Sequence, residues 1–228
     1  MARIDIRGDI IPNDYGKYYD KYGYDCVYPR KVADVIAAAN PADPLDVYIN
    51  SGGGYVVAAQ EIYTNLLQHE KRVHVHIESA AYSCAGWIAM VGDSEMSPVA
   101  MLMVHNVTGG AWGDYHDMEK EADTLKQMNR AICAAFCRKT GKSLEDMMKI
   151  MDEETWLTAK QCVEMGFVNR IMDSSQKPGR RLNASGQLMV TPEMMKKADE
   201  EFAAEEEQRE RLSREKEMIL KDLDLFGV

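Results

Sequence analysis

The chain has 228 residues, 46% of them hydrophobic, enough to bury one sizeable core with room for an appendage. Its formal net charge of −10 and pI near 5.0 argue against a nucleic-acid partner or an anionic membrane surface, and no basic stripe offsets that charge. The apolar runs stop short of the roughly 18 residues that a membrane span needs, and the opening "MARIDIRGDI" carries no signal-like apolar stretch, so the cytoplasm is the expected compartment.

In chain order, the alternation in "ARIDIRGDI" predicts a strand, and "RKVADVIAAA" after Pro29 has helical periodicity. "PLDVYI" reads as a strand that empties into "NSGGG". A helix follows over "YVVAAQEIYTNLLQ", with Ala58, Ala59, Ile62, Tyr63, Leu66 and Leu67 on one face. The pattern then repeats: strand "RVHVHI", the small-residue turn from Ser79 to Ser83, helix "CAGWIAMVG", and strand "AMLMV" ending at His105. Such alternation predicts an α/β fold of parallel strands with helices packed on them.

A long helix from about Asp114 to Lys139 comes next, then helices capped by Ser143 and Thr158, the last stopping at Gly166, and "FVNRI" as a closing strand. After Asp173 the composition turns polar. This divides the chain into a domain over 1–173, a linker over 174–190 and a charged helical tail over 191–228. The tail holds 12 acidic and 7 basic residues, the signature of a solvated helix. Its apolar positions thicken towards Leu223, Leu225 and Phe226, so docking is expected at its far end.

Cys26, Cys84, Cys133, Cys137 and Cys162 are odd in number and form no CxxC pair, which points to neither a disulfide framework nor a cysteine-rich zinc site. His74 and His76 share a strand face at a spacing metal sites use. No cysteine or acidic signature adjoins them in the sequence, so neither a metal nor a cofactor is assigned.

Ser83 stands where a strand turns into a helix, and a serine there is by default an N-cap. Becoming a nucleophile requires a base, and His105, at another strand end, is suitably placed. The base in turn needs an acid, which the run "MDEETW" offers as Asp152, Glu153 or Glu154; by default that run is a solvated cluster in the first turn of the Thr158 helix. The glycines of "NSGGG" free backbone N–H groups to face a phosphate or an oxyanion, and the lack of a following Lys-Ser/Thr pair excludes a P-loop.

These pieces together resemble the ClpP family of serine peptidases, most closely its phage head-maturation branch. The matching stretches are "YINSGGG" followed by "AAQEIY", "SAAYSCAGWIAMVGD", "MLMVHN", and "TGKSLEDMMKIMDEETWLTAKQCVEMGFVNRI", which cover about residues 45–172 in family order. The resemblance implies a ClpP/crotonase-like fold of repeated β-β-α units with a protruding helix, here followed by a C-terminal helical extension. It also implies Ser83 as nucleophile, His105 as base and Glu154 as acid, with Asp152 as the alternative acid, and the N–H groups of Gly54 and Cys84 as the oxyanion hole.

The implied activity is endopeptidase cleavage of an extended polypeptide, for the phage branch a capsid or scaffold precursor. The implied assembly is a homo-oligomer, a heptameric ring or double ring held through the 114–139 helix, with an AAA+ unfoldase as an optional partner. The chain departs from the family pattern in four places: Gly52 replaces the usual proline, Ser79 a glycine, Tyr82 an alanine, and Glu154 an aspartate. Tyr82 is expected to narrow the substrate groove, and a self-cut is expected in the 174–190 linker. Two other readings are a crotonase-type acyl-CoA enzyme, for which there is no clear CoA-binding signal, and a non-catalytic ring-forming scaffold. Cys84 is a rival nucleophile.

Overall fold

The computed structural model describes residues 2–173 and 190–226. Eight strands form one sheet in the order β2-β1-β3-β4-β5-β8: β1 (Ala2–Ile10), β2 (Cys26–Val27), β3 (Leu45–Gly54), β4 (Val73–Tyr82), β5 (Asp93–Met96) and β8 (Arg170–Ile171). All these neighbours run parallel. The long strand β4 serves two partners, pairing with β5 over His74–Ile77 and with β6 (Met101–Val104) over Ala80–Tyr82. A short antiparallel strand, β7 (Thr155–Thr158), completes that branch against β6.

Strand alternation decides which face is covered. In β3 and β4, Leu45, Val47, Ile49, Val73, Val75 and Ile77 are buried, and the residues between them are polar or aromatic. The buried row packs against α2 (Pro29–Ala38), α3 (Val56–Leu67), α4 (Cys84–Ile88) and the second half of α5 (Tyr115–Thr140). Asp114 starts α5 with a full capping box, and the helix ends at Gly141, whose φ of 72° needs no strain in a residue without Cβ. α6 (Leu144–Asp152) and α7 (Ala159–Glu164) begin at Ser143 and Thr158, both of which accept backbone N–H groups as the sequence predicts.

β5, β7, β2 and α1 (Gly16–Tyr22) were unassigned in the sequence. In β5 and β7 the inward row is two residues or one, too short a period to read. The predicted "CAGWIAMVG" helix is α4 followed by a 3-10 turn over Ala89–Val91.

The predicted linker lies outside the described residues except at Val190, which is buried. The C-terminal helix α8 (Pro192–Phe226) docks by its early turns. Val190, Ala198, Met194, Met195 and Phe202 pack on a tyrosine-rich surface from Tyr15 to Tyr28. Tyr18 donates to Asp199 at 2.8 Å and Tyr22 to the Met194 carbonyl at 2.9 Å. That surface comes from α1 and the segments on either side of it, so its tyrosines gave the sequence no apolar stripe to match against the tail. The side chains of Leu223, Leu225 and Phe226 lie outside those described. Among the described residues, no helix is long and apolar enough to cross a membrane.

Candidate active site

Parallel neighbours end on the same side of a sheet, and β4 and β6 bring the ends of their chains together in this way. Ser83 follows the last residue of β4 and His105 the last of β6. Ser83 Oγ and His105 Nε2 are 2.7 Å apart. The default reading of Ser83 as an N-cap fails, because its side chain makes no cap hydrogen bond to α4. Its backbone sits at φ 53°, ψ −126°, a region that L-residues avoid, and this turn aims the hydroxyl at the histidine. The turn is held by the Ser83 N–H to the Met103 carbonyl at 3.0 Å and by the Gly86 N–H to the Ser83 carbonyl at 2.9 Å.

The glycine loop meets the serine from β3. A Cβ on Gly53 would stand 2.8 Å from the Ser83 Cβ and 3.0 Å from the Tyr82 carbonyl oxygen, and one on Gly54 would stand 2.1 Å from the Ile10 carbonyl oxygen. Both glycines also have positive φ, 100° and 152°. Ser51 pins the loop, donating its hydroxyl to the Gly8 carbonyl at 2.7 Å and accepting the Gly53 N–H at 3.1 Å. Cys84, the residue after Ser83, is fully buried at the start of α4. Burial pushes that thiol up to about 12, so Cys84 is a protonated, enclosed side chain and not a competing nucleophile.

The acidic run forms the turn between α6 and β7, not the first turn of α7. Register runs Met103 to Trp156 and Val104 to Thr155, so one step further out His105 faces Glu154. Glu154 has φ 47°, and its Oε1 accepts the Trp156 indole N–H at 3.3 Å. Its charge acts on His105 through space, raising the imidazole pKa against the larger opposing effect of burial, which leaves it below the ordinary value. Asp152 is engaged elsewhere, accepting from Asn106 Nδ2 at 2.8 Å. The loop beyond His105 is anchored by buried Asn129 of α5, whose Oδ1 accepts the Val107 N–H at 2.7 Å; nothing in the sequence pattern marked this residue.

Ser83 and His105 open on a groove of about 480 Å³ lined by the glycine loop, Val56, Met103, Val107, Leu125 and Met128, with Asp9 and Glu121 as its carboxylates. Tyr82 does not narrow this groove. Its ring lies edge-on against Trp156, centroids 4.9 Å apart, because Tyr82 and Trp156 both sit beside Met103 in the ladder. Among the described residues, the one side-chain group able to hold a metal ion lies on the polar face of the sheet, not here.

A serine hydroxyl hydrogen-bonded to a partly buried imidazole at the end of a parallel sheet is an arrangement that serine hydrolases use. The Clp protease family model matches residues 30–175. The chain is also 28% identical over 147 residues to the ATP-dependent Clp protease proteolytic subunit 2 of Corynebacterium diphtheriae, covering 63% of this chain and 74% of that protein. The chain belongs to the Clp protease family.

Proposed function

We propose that the protein is a serine endopeptidase with Ser83 as nucleophile, His105 as general base and Glu154 as the acid that orients and stabilises the imidazolium. The 2.7 Å contact between Ser83 Oγ and His105 Nε2 carries this reading. Ser83 Oγ attacks the scissile carbonyl carbon while its proton passes to His105 Nε2. The oxyanion accepts hydrogen bonds from the N–H groups of Gly54 and Cys84. Collapse breaks the C–N bond, His105 returns the proton to the leaving amine, and water then hydrolyses the acyl-enzyme with His105 again as base.

The apolar walls of the groove suit a polypeptide side chain, and its charged side chains, Asp9 and Glu121, are both acidic, which favours substrates with a basic residue near the cleaved bond. The first half of α5 is exposed, with Tyr115 and Met118 outward, and supports a ring contact with further copies of the chain. An unfoldase partner is consistent with the "ATP-dependent" name of the Corynebacterium relative. The likeness of the serine and glycine motifs to head-maturation peptidases supports capsid or scaffold precursors as substrates. Digestion of an unfolded protein, followed by mass spectrometry, tests the activity: cleavage by the wild type and none by Ser83→Ala is expected. Equal cleavage by both would overturn it, and a folded ring with no cleavage in either would favour the scaffold.

A further inference from the structure

The polar face of the sheet gathers a second group of chemistry-bearing residues, about 23–30 Å along β4 from Ser83 at the rise of a strand. His74 and His76 alternate on β4 and so share that face; Asp46 of β3 is the register partner of His74. One ligand atom from each of the three lies within 4.8 Å of the others. Asp46 Oδ1 is 3.0 Å from His76 Nε2 and 3.8 Å from His74 Nδ1. Tetrahedral ligands on a metal at the usual 2.0–2.1 Å lie about 3.3 Å apart, so small side-chain shifts bring all three to one ion.

The outer nitrogen of His76 is arranged as in metal-bound imidazoles, Nδ1 2.8 Å from Glu95 Oε1, and Asp93 Oδ2 stands 3.8 Å from the outer nitrogen of His74, Nε2. Tyr48 stacks on His76 with centroids 4.4 Å apart, and the four side chains Asp46, His74, His76 and Glu95 are only 12–21% exposed. His76 thus lies between two carboxylates, its Nδ1 2.8 Å from Glu95 Oε1 and its Nε2 3.0 Å from Asp46 Oδ1, a place that suits a cation shared with Asp46.

We propose that Asp46, His74 and His76 bind a divalent transition-metal ion of zinc type, with Glu95 and Asp93 holding the two imidazoles. Two imidazoles and one carboxylate suit zinc better than calcium or magnesium, which take oxygen ligands. In the metal-free arrangement Arg170 Nη2 donates to His74 Nε2 at 2.6 Å. On binding, His74 takes its proton on Nε2, turns it to Asp93, and frees Nδ1 for the ion. Arg170 keeps its contacts with Glu95 at 2.9 Å and Asp93 at 3.1 Å. The ion ties β3 to β4 and, through the carboxylates, to β5, a positional role apart from peptide cleavage. The linear sequence hid the site because its acids come from neighbouring strands.

The test is titration of untagged, chelator-stripped full-length protein with Co²⁺, read by its visible absorption bands, and with Zn²⁺, read by calorimetry. One equivalent per chain, with cobalt bands of tetrahedral type displaced by zinc, is expected. Asp46→Asn and His76→Asn should each weaken binding at least about 100-fold, and Glu95→Gln about 10–100-fold, with circular dichroism unchanged. No saturable binding, or binding that survives both Asp46→Asn and the double change His74→Asn/His76→Asn, overturns the proposal. So does an NMR spectrum in which His76 stays doubly protonated in excess zinc, showing that a proton alone fills the gap.

Discussion

Replacing Gly53 with alanine should disable the protein, although the added methyl takes no part in the chemistry. The new Cβ would stand 2.8 Å from the Ser83 Cβ, against an ordinary carbon–carbon separation of about 3.5–4.0 Å, so one side must yield about 0.7–1.2 Å. Ser83 already sits in a strained turn, so the clash falls on its side chain. A shift of that size stretches its 2.7 Å contact with His105 beyond hydrogen-bonding range. A misplacement near 1 Å costs about 10²-fold in rate, and holding alanine at φ 100° adds about 1–3 kcal/mol of strain. In a chain of this size that strain lowers Tm by about 2–12 °C. The control is Gly52→Ala, whose methyl meets nothing within 4 Å and whose φ is not positive. It should leave activity intact and add about 0.4–1 kcal/mol of stability. Measured as kcat/KM on a fluorogenic peptide with ring assembly checked in parallel, a Gly53→Ala enzyme within threefold of wild type would refute the close approach of the glycine loop to the nucleophile.

Glu154→Gln should lower kcat/KM by about 10² or more, whereas Asp152→Asn, which removes only a bond from Asn106, should change it little; the reverse order would make Asp152 the acid. Because burial holds His105 below its ordinary 6.5 and the base must be neutral, activity should be full above that value and fall as pH drops through a midpoint below it. Losing Glu154, which raises the His105 pKa, should move that limb to still lower pH; a limb above 6.5 would contradict the burial argument. Peptides with lysine or arginine beside the cleaved bond should be preferred over isosteric uncharged ones, and Glu121→Gln should erase most of that preference, which a peptide panel would show.

Much of this was legible before any coordinates. The strand-helix alternation placed β1, β3, β4 and β6, and strand-end logic put Ser83 and His105 at adjacent chain ends. What stayed hidden depends on register and backbone conformation. Glu154 and Asp152 are equivalent acids in a string. The antiparallel β6–β7 pairing, which ends at Val104 and Thr155, is what separates them: Glu154 adjoins that last pair, and Asp152 accepts from Asn106. Asn129 looked like one more polar residue on a helix, and its anchoring of the His105 loop needed the three-dimensional path of Val107. The Asp46–His74–His76 group and the docking of α8 share a cause, since each joins segments far apart in the chain whose individual patterns are unremarkable.

The most direct test of the central claim is intact-mass analysis after treatment with a fluorophosphonate, followed by peptide mapping, on wild type and His105→Ala. A base-activated Ser83 predicts one adduct per chain, mapped to Ser83 and lost or slowed by orders of magnitude in the mutant. An adduct at another residue, or equal labelling without His105, would contradict it.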